Sequence, residues 1–66
     1  MKEFIVQVLR VVPYQTLDAD DKKDWGHKRR HCFFYTAENE EKALDEFHAT
    51  QAISCLDHFE IFCEEL

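Results

Sequence analysis

The sequence predicts an α+β fold of ββαβ order, with a three-stranded antiparallel or mixed sheet in the order 2-1-3 and one helix on one face. A β-branched apolar segment at residues 2–12, a helical pattern after Asn39 and an alternating segment at residues 59–63 support this fold. The 66 residues are enough for one small domain, 1–66. A chain of this length buries only about 60% of its unfolded surface.

The first predicted strand, residues 2–12, is apolar on both faces and ends at Pro13, which cannot donate to a sheet. Alternation places Phe4, Val6 and Val8 on one face, and Ile5, Leu9 and Val11 on the other. A strand with two apolar faces is more often central than at an edge. We therefore expect strand one to lie between strands two and three.

Residues 13–26 form a long, charged connection, and residues 27–36 form the second predicted strand. Connections of this length are uncommon in small domains and are often functional or mobile. The alternative is a short helical turn inside the connection, capped by Asp18 or Asp20.

The helix is predicted at residues 40–54. Asn39 suits its N-cap, and Glu40 and Glu41 suit the positive end of the helix dipole. Residues 59–63 then alternate as strand three. A crossover helix makes strands two and three parallel to each other.

One helix covers one face of this sheet, so we expect the other face to show apolar side chains. They come from strand one and from one member of each pair Phe33/Phe34 and Phe59/Phe62. Three covers are conceivable: the loop that carries Tyr14, Leu17 and Trp25, a second copy of the chain, or a different protein.

Charge is divided unevenly along the chain. Residues 1–36 carry seven Lys or Arg and five Asp or Glu, whereas residues 37–66 carry one Lys and nine Asp or Glu. The net charges are therefore +2 and −8. The acidic half disfavours nucleic acid, whose phosphates need cations, and would be drawn to a basic surface.

The sequence predicts a cytoplasmic protein without a membrane span. It contains no apolar run of about 20 residues and no secretory signal pattern. Its three cysteines are expected to be reduced thiols.

No residue pattern predicts catalysis, a metal or a cofactor. Cys55 and His58 are the closest ligand pair, with no Cys-x-x-Cys, and nothing typical of a cysteine enzyme surrounds them. The aspartates between Asp18 and Asp24 lack the glycine and the glutamate of a calcium loop. We therefore expect a protein that is not an enzyme.

Two sets of residues are candidates for binding a partner. The first is a predicted acidic face from the helix, strand three and their flanks: Glu38, Glu41, Asp45, Glu46, Glu60 and Glu64. The second comes from the basic and aromatic loop: Trp25, Arg29 and Arg30. Basic and aromatic residues together also suit single-stranded nucleic acid, but four interleaved aspartates and the acidic chain argue against that use.

The segment Tyr35-Thr36-Ala37-Glu38-Asn39-Glu40-Glu41-Lys42-Ala43-Leu44 resembles the strand-to-helix junction of small phage and mobile-element proteins. The RNA-polymerase inhibitor of T7-like phages shares this junction and the ββαβ order, and several anti-CRISPR proteins are similarly small and acidic. The resemblance implies a non-catalytic inhibitor of a host nucleic-acid machine. The basic residues Lys28, Arg29 and Arg30 depart from a purely acidic mimic of DNA.

Three hypotheses follow, of which the last is a zinc-stabilised or nucleic-acid-binding module. The first is a phage or mobile-element inhibitor that acts in the host cytoplasm. It would bind a host protein or ribonucleoprotein complex through the acidic face. The second is a structural domain that forms a homodimer through its open apolar sheet face.

Overall fold

The computed structural model describes all residues, 1–66. Three strands and two helices follow one another as β1 (Lys2–Arg10), α1 (Ala19–Trp25), β2 (Arg30–Ala37), α2 (Glu40–Thr50) and β3 (Phe59–Glu65). Short 3₁₀ turns precede α1 at Tyr14–Thr16 and β3 at Leu56–His58.

The sheet has the order β2-β1-β3, with β1 antiparallel to both neighbours. The predicted central position of the first strand is therefore confirmed. Its register aligns Val6 with Phe33 on β2 and with Cys63 on β3. Directly paired residues point to the same side of a sheet, so the register assigns every strand residue to one face.

The core lies on the side of β1 that carries Phe4, Val6 and Val8, all of which are buried. Ala43 and Phe47 of α2 cover this side and are fully buried. Burying a side chain as large as that of Val or Phe contributes about 1.5–3 kcal/mol. These contacts hold α2 against the sheet.

Helix α2 begins where the sequence predicts it and ends four residues earlier than predicted. The Asn39 side chain accepts a hydrogen bond from the Lys42 backbone N–H at 2.9 Å. The helix ends at Thr50, and the backbone of the next residue, Gln51, is extended, with φ −122° and ψ 132°. Residues 51–55 are irregular, with a bend at Ser54, and lead into the 3₁₀ turn before β3.

The structure has two helices, which corrects the prediction of one. Helix α1 forms inside the predicted loop, and its N-cap is Asp18, which accepts from the Asp21 backbone N–H at 2.9 Å. At its C-terminal end, Arg10 Nη1 donates to the Gly26 carbonyl oxygen at 3.0 Å. A cation suits this end because the last helical carbonyls are otherwise unpaired.

Gly26 is required at the end of α1 by close packing. Its φ of −71° is open to any residue. A Cβ at this position, however, would overlap the ring of Tyr14 and lie 2.6 Å from the Lys22 carbonyl oxygen.

The connection that contains α1 packs on the same side of the sheet as α2. Leu17 and Trp25 are buried in one cluster with Val6, Val8 and Phe47. The loop is therefore not the cover of the opposite face. That face, which carries Ile5 and Leu9, has no element of this chain over it.

Strand limits differ slightly from the predicted ones. Strand β1 ends at Arg10 and β2 begins at Arg30, so both are shorter at this end of the sheet than predicted. Strand β3 continues to Glu65, because its last residues still pair with β1 at Phe4 and Ile5. Neither helix has the length and apolar character needed to cross a bilayer.

Candidate functional site

Helix α2 and the turn before it present an acidic helix surface, formed by Glu38, Glu41, Asp45 and Glu46. All four side chains are exposed. Glu41 and Asp45 lie one turn apart on the outer side of α2, where like charges destabilise a helix slightly. The helix is held instead by its buried side, Ala43 and Phe47.

The charges of the acidic helix surface are not neutralised within the molecule. The chain contains a single ion pair, between Lys2 Nζ and Glu65 Oε1 at 3.6 Å, and it lies elsewhere. Lys42 is the one basic side chain of α2 apart from His48. The surface therefore keeps a net negative potential that solvent and salt only screen.

Glu60 and Glu64 lie on the other side of the molecule. The register pairs Glu60 with Leu9 and Glu64 with Ile5, on the side of β1 that faces away from α2. The six acidic residues predicted to form one face are thus divided between two surfaces. The sheet lies between Glu60 and Glu64 on one side and the four acidic residues of α2 and its entry on the other.

The side of the sheet opposite α2 is an open sheet face. Its rows, read from β2 across β1 to β3, are Phe34–Ile5–Glu64, Cys32–Gln7–Phe62 and Arg30–Leu9–Glu60. The Phe34 side chain is 67% exposed and that of Phe62 is 48% exposed. Two exposed phenylalanines on one face form an apolar patch of the kind that marks interaction sites.

Trp25 is a core residue. It is only 3% exposed, and its indole Nε1 donates to the Ala52 carbonyl oxygen at 2.8 Å. Its ring meets the edges of His31 and Phe33, with centroids 5.0 Å and 5.8 Å away. Almost none of its surface is free for a partner.

Arg29 and Arg30, the two arginines of the second predicted binding set, are both exposed. They are adjacent in sequence but do not belong to the same surface. Arg29 precedes β2, and its carbonyl oxygen accepts from the Arg10 backbone N–H at 2.8 Å. Arg30 opens β2 and belongs to the open sheet face, opposite Leu9. The set Trp25, Arg29 and Arg30 therefore does not form one surface.

Asp21 is a structural residue that the sequence does not single out. Its side chain is 1% exposed. The two carboxylate oxygens accept from the backbone N–H groups of Ser54 at 2.9 Å and Cys55 at 3.2 Å. Asp21 therefore fastens α1 to the segment that leads into β3.

The grooves of the molecule are open and shallow. The largest, about 540 Å³, lies where the C-terminal end of α1 meets β2 and the residues after α2. Its lining includes Trp25, His31 and Phe33. His31 is held there by a 3.1 Å contact between its Nε2 and the Trp25 carbonyl oxygen.

The thiols show no arrangement with a base. Cys55 and His58 are joined through the backbone, where the His58 N–H donates to the Cys55 carbonyl oxygen at 3.2 Å. The buried Nδ1 of His58 has no hydrogen-bond partner. Burial, and then the nearby Glu40 carboxylate, raise the pKa of the Cys63 thiol, which disfavours the reactive thiolate.

No group of three or more His, Cys, Asp or Glu side chains is gathered closely enough to hold a metal ion. Comparison with known proteins gives no match to a family model, a curated protein or a solved structure.

Proposed function

We propose that this chain is a small, non-catalytic inhibitor, encoded by a phage or mobile element. It binds a basic surface on a host nucleic-acid-handling complex in the host cytoplasm. The acidic helix surface is the contact, and it competes with the phosphates that the basic surface ordinarily holds. An inhibitor of this kind resembles either the anti-CRISPR proteins or the RNA-polymerase inhibitors of phages.

One observation carries this proposal: Glu38, Glu41, Asp45 and Glu46 are all exposed, and none is in an ion pair. They project from a helix that is fixed by buried contacts on its other side. A rigid display of charge that is negative in total favours association with an opposite surface and speeds encounter by about 10- to 1,000-fold.

The first test is capture from a bacterial lysate. The immobilised chain is compared with a variant carrying Glu41→Lys, Asp45→Lys and Glu46→Lys, and co-purifying proteins are identified. A control variant with Asp20→Lys, Asp24→Lys and Asp57→Lys changes the net charge equally, at exposed residues outside α2 and outside the open sheet face. We expect the wild-type chain and the control to retain a nucleic-acid-handling complex, and the helix variant to lose it.

The second test measures association rates with the captured complex at several salt concentrations. The helix variant is expected to associate at least about 10-fold more slowly than the control, and its rate should depend less on salt. Circular dichroism checks that all variants stay folded. Equal capture and equal rates for the two charge-reversal variants would exclude the acidic helix surface as the contact.

A further inference from the structure

We propose that the open sheet face binds a second copy of this chain, forming a two-fold symmetric dimer with the two sheets stacked face to face. This inference does not rest on the proposed function, because α2 and the open sheet face lie on opposite sides of β1. A dimer of this form displays two acidic helix surfaces, one on each outer side.

The first support is the apolar content of the face. Phe34 and Phe62 are large and well exposed, and Ile5 and Leu9 lie between the strands that carry them. The charged connection around α1 packs on the other side, so it leaves this patch uncovered. Burying such a patch removes apolar area from water, which favours association.

The second support is the charge complementarity of one row of the face with its own copy. Arg30 and Glu60 flank Leu9 in one row, Arg30 on β2 and Glu60 on β3. Neither is in an ion pair within the chain. A two-fold axis parallel to β1 stacks β2 of one copy over β3 of the other and keeps each row in register. Each Arg30 then faces the partner's Glu60, and the contact occurs twice.

The same axis brings together matching groups at the centre of the face. Gln7 meets its own copy, and an amide both donates and accepts hydrogen bonds. Glu3 also meets its own copy at the start of β1, so the two carboxylates must turn outward to solvent at that end of the face. Stacked sheets lie about 10 Å apart and within about 30° of each other, which long Arg and Glu side chains span. Glu64 lies on an outer strand, beside the partner's Phe34, and must turn its carboxylate outward to solvent.

The area of the open sheet face limits how tightly two copies can associate. Three strands about 4.8 Å apart and about 30 Å long present roughly 400 Å² of flat area on each copy. Two copies then bury roughly 800 Å² of flat area, and more once the surfaces of the protruding side chains are counted. Stable specific interfaces bury at least about 1,000 Å². We therefore expect a weak dimer that forms only at high concentrations of the chain.

Sedimentation equilibrium from micromolar to near-millimolar concentration tests the dimer. The average mass of the wild-type chain should rise from 7.9 kDa toward twice that value. The variant Phe34→Ser with Phe62→Ser should stay monomeric and folded, since the two side chains are 67% and 48% exposed. A monomer at every concentration, or a dimer unaffected by this variant, overturns the proposal; a monomer is also the result expected if a different protein covers the face.

A charge exchange tests the two-fold arrangement. Arg30→Glu alone should raise the dissociation constant by about ten-fold or more, because it sets two like-charged pairs face to face. Arg30→Glu combined with Glu60→Arg restores both pairs and should restore dimerisation. Arg29→Glu is the matched control for net charge, and it should leave the dimer intact. A double variant no tighter than Arg30→Glu overturns the arrangement.

Discussion

At the scale of single residues, Asp21 shows how a charged side chain can act as a fastener. Moving a carboxylate out of water is costly unless hydrogen bonds replace its hydration. Here the Ser54 and Cys55 backbone N–H groups replace part of it, and hydrogen bonds to an ionised group are stronger than neutral ones. The result is a cross-link between chain segments more than 30 residues apart.

Asp21→Ala is therefore expected to lower the free energy of unfolding by about 1–3 kcal/mol, because two backbone N–H groups lose their acceptor. Urea unfolding followed by circular dichroism should show a midpoint about 1 M lower or more. Asp20→Ala is the control, since Asp20 is exposed in the same turn of α1. If the two variants unfold at the same urea midpoint, the hydrogen bonds of Asp21 to Ser54 and Cys55 do not stabilise the fold.

The sequence does not distinguish Asp21 from its neighbours. Asp18, Asp20, Asp21 and Asp24 have the same chemistry in a charged stretch, and only the docking of α1 against residues 54–55 buries one of them. Trp25 was predicted from its type as a binding residue, but the same docking places it in the core. Such long-range contacts are invisible to local pattern analysis.

At the scale of elements, α2 depends on its cap and its buried side. Asn39→Ala removes the side-chain oxygen that accepts from the Lys42 N–H. We expect a loss of about 1 kcal/mol in the free energy of unfolding, with a thermal midpoint about 4–8 °C lower. Asn39→Asp keeps an acceptor and should stay close to the wild type. An equal loss in both variants would show that the cap bond contributes nothing.

Strong periodic signals made most of the elements predictable. The two apolar faces of β1 indicated its central position, and the Asn39 cap indicated the start of α2. Helix α1 was harder to predict because it is seven residues long and has only two buried residues, Asp21 and Trp25. Its length gives no apolar stripe to recognise. The end of α2 was missed because Ala52 and Ile53 continue the helical pattern beyond its last residue.

At the scale of the whole molecule, the sheet separates two surfaces of different character. The acidic helix surface lies outside α2, and the open sheet face lies on the far side of β1. The sequence indicated both the excess acid and an uncovered apolar face. The sequence alone did not show which acidic residues lie on which surface. Their positions depend on the register of β3, which places Glu60 and Glu64 away from α2.

The whole fold also depends on its last strand. Strand β3 contributes Phe59, Ile61 and Cys63 to the helix side of the sheet. Phe59 is buried, and Ile61 and Cys63 are partly buried. Their burial together with the backbone hydrogen bonds between β1 and β3 is comparable with the total stability of a chain this size, roughly 3–10 kcal/mol. Removing residues 59–66 should therefore abolish cooperative thermal unfolding monitored by circular dichroism, whereas removing the exposed Leu66 alone should preserve it. A truncated chain that still melts cooperatively would contradict this expectation.

The central position of β1 has a consequence during synthesis. Strand β1 is synthesised before β3, which supplies its second neighbour, since Phe4 pairs with Glu65. At about 5–20 residues per second, β1 exists for several seconds before its second neighbour is translated. An apolar strand with unpaired edges is prone to aggregation in that interval. Lys2 and Glu3 at one end of β1 and Arg10 at the other are charges of the kind that limit such aggregation.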